Sequence, residues 1–159
     1  MNDKNQLFKY AIDYLSKYNS SKDNLKRILN KKVSRMKIEK KYKFELYNSI
    51  PNILIKLEKN KFIDDLNYSL SKIRFFISIG KSRIYIKNYL FQKGISTNII
   101  ANSLEENDKE NPDWEINSAR IFIKKKNFTN SIKEKEKNLS KMARAGFSYY
   151  ISKKILEEI

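Results

Sequence analysis

The sequence predicts an all-α fold: three tandem three-helix repeats forming an elongated, curved array. Three observations lead there. Breakers are scarce, with three Gly and two Pro in 159 residues, in a chain crowded with Lys, Glu, Leu and Ile. Apolar residues recur in steps of three and four along most of the chain. One pattern also occurs twice: KGISTNIIANSLEE, Lys93 to Glu106, aligns with AGFSYYISKKILEE, Ala145 to Glu158, at an offset of 52 residues. Gly94 matches Gly146, Ser96 matches Ser148, Ile99 matches Ile151, and Leu104-Glu105-Glu106 matches Leu156-Glu157-Glu158. A period of about 50 residues is the length of a three-helix unit repeated in tandem. Helices this short do not hold their shape alone, so each unit buries its stripe on its neighbours. The repeats are bounded at 1–60, 61–107 and 108–159. The first is the faintest, because it lacks the Gly-aromatic ending.

The elements follow in order. Leu7, Tyr10, Ala11, Tyr14, Leu15 and Tyr18 are spaced for an amphipathic helix over residues 5–18. Asn19-Ser20-Ser21 is a linker, with Ser21 as N-cap of a helix carrying Leu25, Ile28, Leu29 and Val33 and running to about Ile38. Lys37 to Lys43 is basic and weakly patterned. Pro51 either opens a helix behind Ser49 or kinks a longer one from Phe44, and the first reading is favoured. Ile53, Leu54 and Leu57 continue that helix to Asn60 or Lys61.

The middle repeat is the most legible. Asp64 stands directly before the series Leu66, Leu70, Ile73, Ile77, one stripe on one helical face, and is placed to cap it. Gly80 breaks the helix and Ser82 caps the next, which carries Ile86 and Leu90. Gly94 suits the left-handed position beyond a helix end. Ser96 caps a third helix with Ile99, Ile100 and Leu104 inside. Glu105 to Asn111 reads as a polar turn. Pro112 then opens a helix with Asp113 and Glu115 at its positive end, Trp114, Ala119, Ile121, Phe122 and Ile123 as apolar contacts, and Lys124, Lys125 and Lys126 in its last turn. A charge-rich helix from about Asn130 to Arg144, anchored by Leu139 and Met142, ends at Gly146. Phe147-Ser148 leads into a last helix burying Ile151, Ile155 and Leu156.

Composition removes several classes of function. The chain has no Cys and no His, which excludes disulfides, thiolate metal sites, and Cys or His nucleophile and general-base chemistry. No stretch approaches the ~20 apolar residues of a membrane helix, and the polar start MNDKNQLFKY lacks a signal peptide's apolar core. A cytoplasmic protein without cofactor or small-molecule substrate fits. The formal net charge is +16, which points to an anionic partner, nucleic acid first. Lys, Asn, Ile, Tyr and Phe are abundant together and share A/T-rich codons, so codon drift competes with binding as the source of the lysines. The lopsided balance favours a functional basic surface.

These residues carry a family likeness. F-I-D-D at Phe62 to Asp65, the aromatic-rich helix after it, and G-K-S-R-I-Y-I-K-N-Y-L-F-Q-K-G-I from Gly80 resemble the central module of the RecX family, bacterial regulators of the RecA recombinase. A-I-D-Y-L-S and S-S-K-D-N-L-K-R-I-L resemble the family's first module, and K-M-A-R-A-G-F-S-Y-Y-I its last Arg-Gly-Phe-Ser stretch, with Arg144 and Gly146 here separated by Ala145. Asn24 stands where a Glu is usual, and Tyr18-Asn19 where the first linker often carries basic residues. The resemblance covers nearly the whole chain. It implies three tandem three-helix repeats. It also implies a monomer that binds the RecA filament on single-stranded DNA and restrains its recombinase, ATPase and repressor-cleavage activities. The alternative, from charge alone, is a general basic DNA- or RNA-binding helical protein with no dedicated protein partner. An enzyme ranks behind both.

Asp64 and Asp65 are adjacent, so on a helix their side chains diverge by ~100°, which favours capping over a metal or acid–base pair. Gly80-Lys81-Ser82 lacks the first Gly and the strand of a phosphate loop. Tyr68, Phe75, Phe76, Tyr85, Tyr89 and Phe91 are at helical spacing and read first as core, with a partly exposed strip at Tyr85 and Tyr89 as the alternative. The predicted interface is basic: Lys72, Arg74, Lys81, Arg83, Lys87 and Lys93 in the middle repeat, Lys124, Lys125, Lys126 and Arg144 in the third. Arg83 stands out because a cation beside a helix N-terminus opposes the dipole, which suggests an external partner. Asp64, Asp65, Gly80, Gly94, Ser96, Gly146 and Phe147 are assigned to the scaffold.

Overall fold

The computed structural model describes residues 3–129, 131 and 134–159. Among these the regular elements are all helices: α1 (Asp3–Lys17), α2 (Lys22–Arg35), α3 (Lys40–Lys59), α4 (Asp65–Ser78), α5 (Arg83–Gln92), α6 (Thr97–Glu110), α7 (Trp114–Lys125), α8 (Lys135–Arg144) and α9 (Tyr149–Leu156). The chain divides into two compact units. The first holds residues 1–68 with the short segment Lys93–Ile95, and the second holds Ser69–Gln92 and Ser96–Ile159.

In the first unit, Leu7 and Ala11 of α1, Leu25, Leu29 and Val33 of α2, and Leu46, Ile50, Ile53, Leu54 and Leu57 of α3 form one core, closed by Ile63. Tyr10, Tyr14 and Leu15 flank it, while Tyr18 is exposed. α2 stops at Arg35, short of the expected Ile38, and α3 begins at Lys40, inside the stretch read as weakly patterned. Pro51 therefore does not open a helix. It lies exposed within α3. The missing N–H leaves a carbonyl one turn back without its usual donor, but the five residues that α3 buries hold the helix together on the other face. Ser49 is no cap there, since its hydroxyl donates back to the Leu46 carbonyl at 2.7 Å.

The second unit buries Ile73 and Phe76 of α4, Ile86 and Leu90 of α5, and Ile100 and Leu104 of α6. Ala119 and Ile123 of α7, Met142 of α8, Phe147, and Ile151 and Ile155 of α9 form a further cluster. The inner face of α4 differs from the expected stripe. Leu66 is 44% exposed, Leu70 and Ile77 are half-buried, and Tyr68, Ser69, Ile73 and Phe76 face inward. The larger rings of Tyr68 and Phe76 take the interior, and burying them turns the helix away from Leu66. The expected turn at Glu105 to Asn111 is helical as far as Glu110. There the inward residue is polar, Asn107, and a Lys109–Glu105 pair at 2.7 Å supports the outer face. α7 starts at Trp114, two residues after Pro112. α8 starts at Lys135 and buries Met142 and Asn138, with Leu139 only half-buried. Residues 130, 132 and 133 of the helix expected there lie outside the described residues.

Helix ends follow the sequence closely. Asp64 accepts from the Asn67 N–H at 3.0 Å, Ser96 from Ile99 at 3.3 Å and Ser148 from Ile151 at 3.2 Å. α4 closes at Gly80 with the Lys81 N–H bonded to the Phe76 carbonyl, and α8 closes at Gly146 with Phe147 N–H on Met142. Lys61 and Asn127 take the same left-handed position after α3 and α7, at φ 58° and 51°.

One joint occurs twice. In the first unit Ser21 caps α2, accepting from the Asn24 N–H at 3.2 Å, and donates to the Lys93 carbonyl at 2.5 Å. The next N–H, Lys22, donates to Asp65 Oδ1 at 2.8 Å. Gly94, at φ +74°, lies so close to Asp23 that a Cβ would overlap it. In the second unit Ser82 caps α5, accepting from Tyr85 N–H at 3.2 Å, and donates to the Ala145 carbonyl at 2.7 Å. The next N–H, Arg83, donates to Glu115 Oε1 at 2.9 Å. Gly146, at φ +88°, sits where a Cβ would lie 2.6 Å from Ser82 Oγ. Capping serine, carboxylate on the following amide, and glycine turn recur in the same roles, in agreement with a tandem repeat. Each joint satisfies amides that a helix start leaves open.

Candidate nucleic-acid and partner interface

The second unit carries a continuous run of cations and rings on α4 and α5. Phe76, buried, is its centre. It packs edge-on against Phe75, Tyr85 and Tyr89 at ring-centre distances of 5.3, 5.3 and 4.6 Å. Such pairs contribute about 0.5–1.5 kcal/mol each beyond burial, so the ring set is a fixed platform. Phe75 is 52% and Tyr85 39% exposed. Lys81 Nζ stands 4.3 Å over the Tyr85 ring and Lys72 Nζ 5.9 Å from Phe75. A lysine thus lies at each end of a half-exposed aromatic platform. The same chemistry binds single-stranded nucleic acid, with cations on phosphates and flat faces for bases.

Arg83 has a different position from the one its charge suggests. Its guanidinium pairs with Asp108, approaches Glu115 at 3.8 Å and stacks 5.2 Å from the Trp114 ring. Asp108 also accepts from the Trp114 indole N–H at 2.7 Å. The unfavourable helix-dipole contact is offset inside the protein by two carboxylates, so no external partner is needed to explain the residue. Lys87 is exposed one turn further along α5. With Arg83, Phe91 and Leu104 it borders a groove of about 750 Å³ between α5 and α6. Glu105 and Asp108 line the same groove, so its potential is mixed and a phosphate would compete with built-in carboxylates.

The other predicted cations are dispersed. Arg74 is exposed on α4. Lys93 belongs to the first unit, where its Nζ lies 3.5 Å from Asn24 Oδ1. Lys124, Lys125 and Lys126 are exposed at the end of α7, and Lys125 Nζ is 3.3 Å from the Ile79 carbonyl. Arg144 is exposed, its Nε donating to the Ser140 carbonyl at 3.3 Å.

Asp65, which accepts from the Lys22 N–H, is half-buried. Burial raises its pKa above the ordinary 3.8, against the hydrogen bond from Lys22 N–H, which lowers it. The long-range roles of Asp65, Asp108 and Glu115 leave no local sequence signal, because their partners lie 25 to 43 residues away. Among the described residues, no group of three or more acidic side chains is placed to hold a metal ion, and no helix is long and apolar enough to cross a membrane.

No protein-family model matches the chain. Its sequence is similar to the regulatory protein RecX of Myxococcus xanthus, 29% identical over 155 residues, covering 92% of this chain and 82% of the relative. Its fold is that of two solved structures. The crystal structure of RecX from Lactobacillus salivarius superposes with a TM-score of 0.72 at 22% identity, over 99% of this chain and 96% of that one. A second crystal structure of a regulatory protein RecX gives 0.68 at 22% identity, over 97% of this chain and 71% of the other. The RecX resemblance read from the residues and the all-α fold class are both borne out.

Proposed function

We infer that this chain is a regulator of a RecA recombinase. It binds the RecA filament on single-stranded DNA and restrains recombination, ATP hydrolysis and repressor cleavage, without chemistry of its own. The carrying observation is the likeness to regulatory protein RecX along 92% of the sequence. The physical character agrees with it. A net charge of +16 draws the protein to a polyanion at long range, and the Lys72–Phe75–Tyr85–Lys81 platform supplies short-range contacts. A monomer, acting in the cytoplasm where such filaments form, with three repeats at 1–60, 61–107 and 108–159, completes the reading.

The test is ATP hydrolysis by RecA on single-stranded DNA, titrated with this protein. The expected result is inhibition well below one protein per RecA, and a loss of about tenfold in potency for the Lys72→Glu/Lys81→Glu variant. The exposed rings beside lysines also favour a second reading, a general single-strand binder. Inhibition that appears only once all free DNA is coated would select that reading and reject the first.

A further inference from the structure

The middle platform is not the only place where rings and cations meet. In the first unit, α1 and α2 enclose a groove of about 410 Å³, within the size range of small-ligand sites. Tyr10 and Tyr14 line one wall, and Lys31, Lys32 and Arg35 the other. Ile28 and Met36 complete it, and no carboxylate lines it. Lys32 Nζ stands 4.9 Å over the Tyr10 ring. Tyr18 extends the aromatic wall, its ring centre 5.1 Å from that of Tyr14 at a tilt of 41°, and it is 57% exposed. Tyr10 and Tyr14 share one face of α1, about 6 Å apart along the axis, and Tyr18, just past the helix end, continues the row with its N–H on the Tyr14 carbonyl at 2.9 Å.

Local structure accounts for part of this. Lys32 and Arg35 lie in the last turn of α2, where cations offset the dipole. Core packing accounts for Tyr10 and Tyr14 in part, since both are half-buried against Leu7, Ala11 and their neighbours. It does not account for Tyr18, which is exposed beside Tyr14, nor for the basic wall that the half-exposed edges of Tyr10 and Tyr14 share. A ring left more than half in water beside a second ring contributes little to folding, but it presents a flat face to an incoming base.

We propose that this α1–α2 groove is a binding site for a single strand of nucleic acid, with bases stacking on Tyr14 and Tyr18 and phosphates held by Lys31, Lys32 and Arg35. The acid-free lining selects an anion, and the aromatic row selects one that carries flat rings, a combination that neither a lipid headgroup nor an acidic peptide offers. The site shares no residue with the α4–α5 platform, and its contact with DNA needs no recombinase.

The experiment uses the full chain and a fluorescently labelled oligothymidylate of about 15 nucleotides, read by anisotropy with no RecA present. It is therefore independent of the filament reading. Lys31→Glu/Arg35→Glu changes two exposed positions and is expected to weaken binding at least tenfold. Tyr14→Leu/Tyr18→Leu keeps apolar bulk and is expected to lose about tenfold on the oligonucleotide. On an abasic strand of equal length it should lose nothing. Circular dichroism verifies that each variant is folded. Wild-type affinity in the charge variant overturns the proposal. So does an equal loss by the tyrosine variant on normal and abasic strands, or displacement of DNA by polyglutamate at equal charge concentration.

Discussion

The second-unit joint makes a quantitative prediction. Gly146→Ala places a Cβ 2.6 Å from Ser82 Oγ at φ +88°. Two costs follow. A left-handed L-residue costs about 1–2 kcal/mol. The hydroxyl must also give way, and it has nowhere to go: Ser82 is fully buried, accepts from Tyr85 N–H and donates to the Ala145 carbonyl. Loss of that cap costs about 1 kcal/mol, so Gly146→Ala should destabilise by about 2–3 kcal/mol in all. Ser82→Ala alone should cost about 1 kcal/mol. In that background no hydroxyl remains to displace, and Gly146→Ala should cost only the backbone part. The double-mutant cycle should therefore show a coupling of about 1 kcal/mol, with the pair less damaging than the sum. Urea denaturation followed by the emission of Trp114 reads this directly, since it is the single Trp and is 3% exposed in the same unit. Additivity within about 0.3 kcal/mol would refute the claim that Gly146 is required by its contact with Ser82.

Two further expectations test the carboxylates. Arg83→Ala should cost about 1 kcal/mol, discounted for the partial exposure of the ion pairs, and should shift Trp114 emission, because Asp108 and the indole lose a shared partner. Arg83→Lys should not restore the parent, since an ammonium cannot span two carboxylates and stack as a guanidinium does, whereas Lys87→Glu, at an exposed position, should leave stability within about 0.5 kcal/mol. At Asp65 burial raises the folded pKa above 3.8, so protons bind the folded chain more tightly than the unfolded one. This group's contribution to stability therefore rises as pH falls from neutral through the folded value, and levels off below 3.8. Asp65→Asn keeps an acceptor for Lys22 N–H without the buried charge, and should be at least as stable as the parent at pH 7, the two converging in acid. Asp65→Ala loses the acceptor and should cost about 1 kcal/mol. Urea melts of the three proteins across pH check both signs, and equal losses for Asn and Ala would refute the burial argument.

What was legible in the sequence was whatever depends on near neighbours. Ser21, Asp64, Ser82, Ser96 and Ser148 cap the helices they precede because a cap needs only an amide three residues on. Gly80, Gly94 and Gly146 all take positive φ, as helix-ending glycines do. Rotation of a helix about its own axis is not local. The spacing of Leu66, Leu70, Ile73 and Ile77 is sound periodicity, yet which of two overlapping faces turns inward depends on the bulk of Tyr68 and Phe76 against their neighbours. Pro51 failed for a similar reason: propensity argues for a boundary, and tertiary burial on the opposite face overrides it. At the interface, lysine positions were legible but their partners were not. Arg83 looked unexplained only because Asp108 and Glu115 are distant in sequence.

The internal pairing of Arg83 bears on how the charge acts. At long range the field depends on the net charge of +16, whether or not individual charges are paired. At contact range pairing decides. Carboxylates of this chain are already engaged inside it: Asp65 on Lys22 N–H, Glu58 on Lys22 Nζ, Asp108 and Glu115 on Arg83, Glu158 on Arg120. Cations held by such pairs must give up an existing partner to bind a phosphate, and that exchange cancels much of the gain. The cations that lie over rings instead, Lys81 on Tyr85 and Lys32 on Tyr10, face no such competition. A ring stabilises a cation by only about 0.5–1 kcal/mol at an exposed site, and it remains available to a base once the lysine swings to a phosphate. Contact with nucleic acid should therefore concentrate where lysine meets tyrosine, not where basic residues are merely most numerous, as at Lys124 to Lys126.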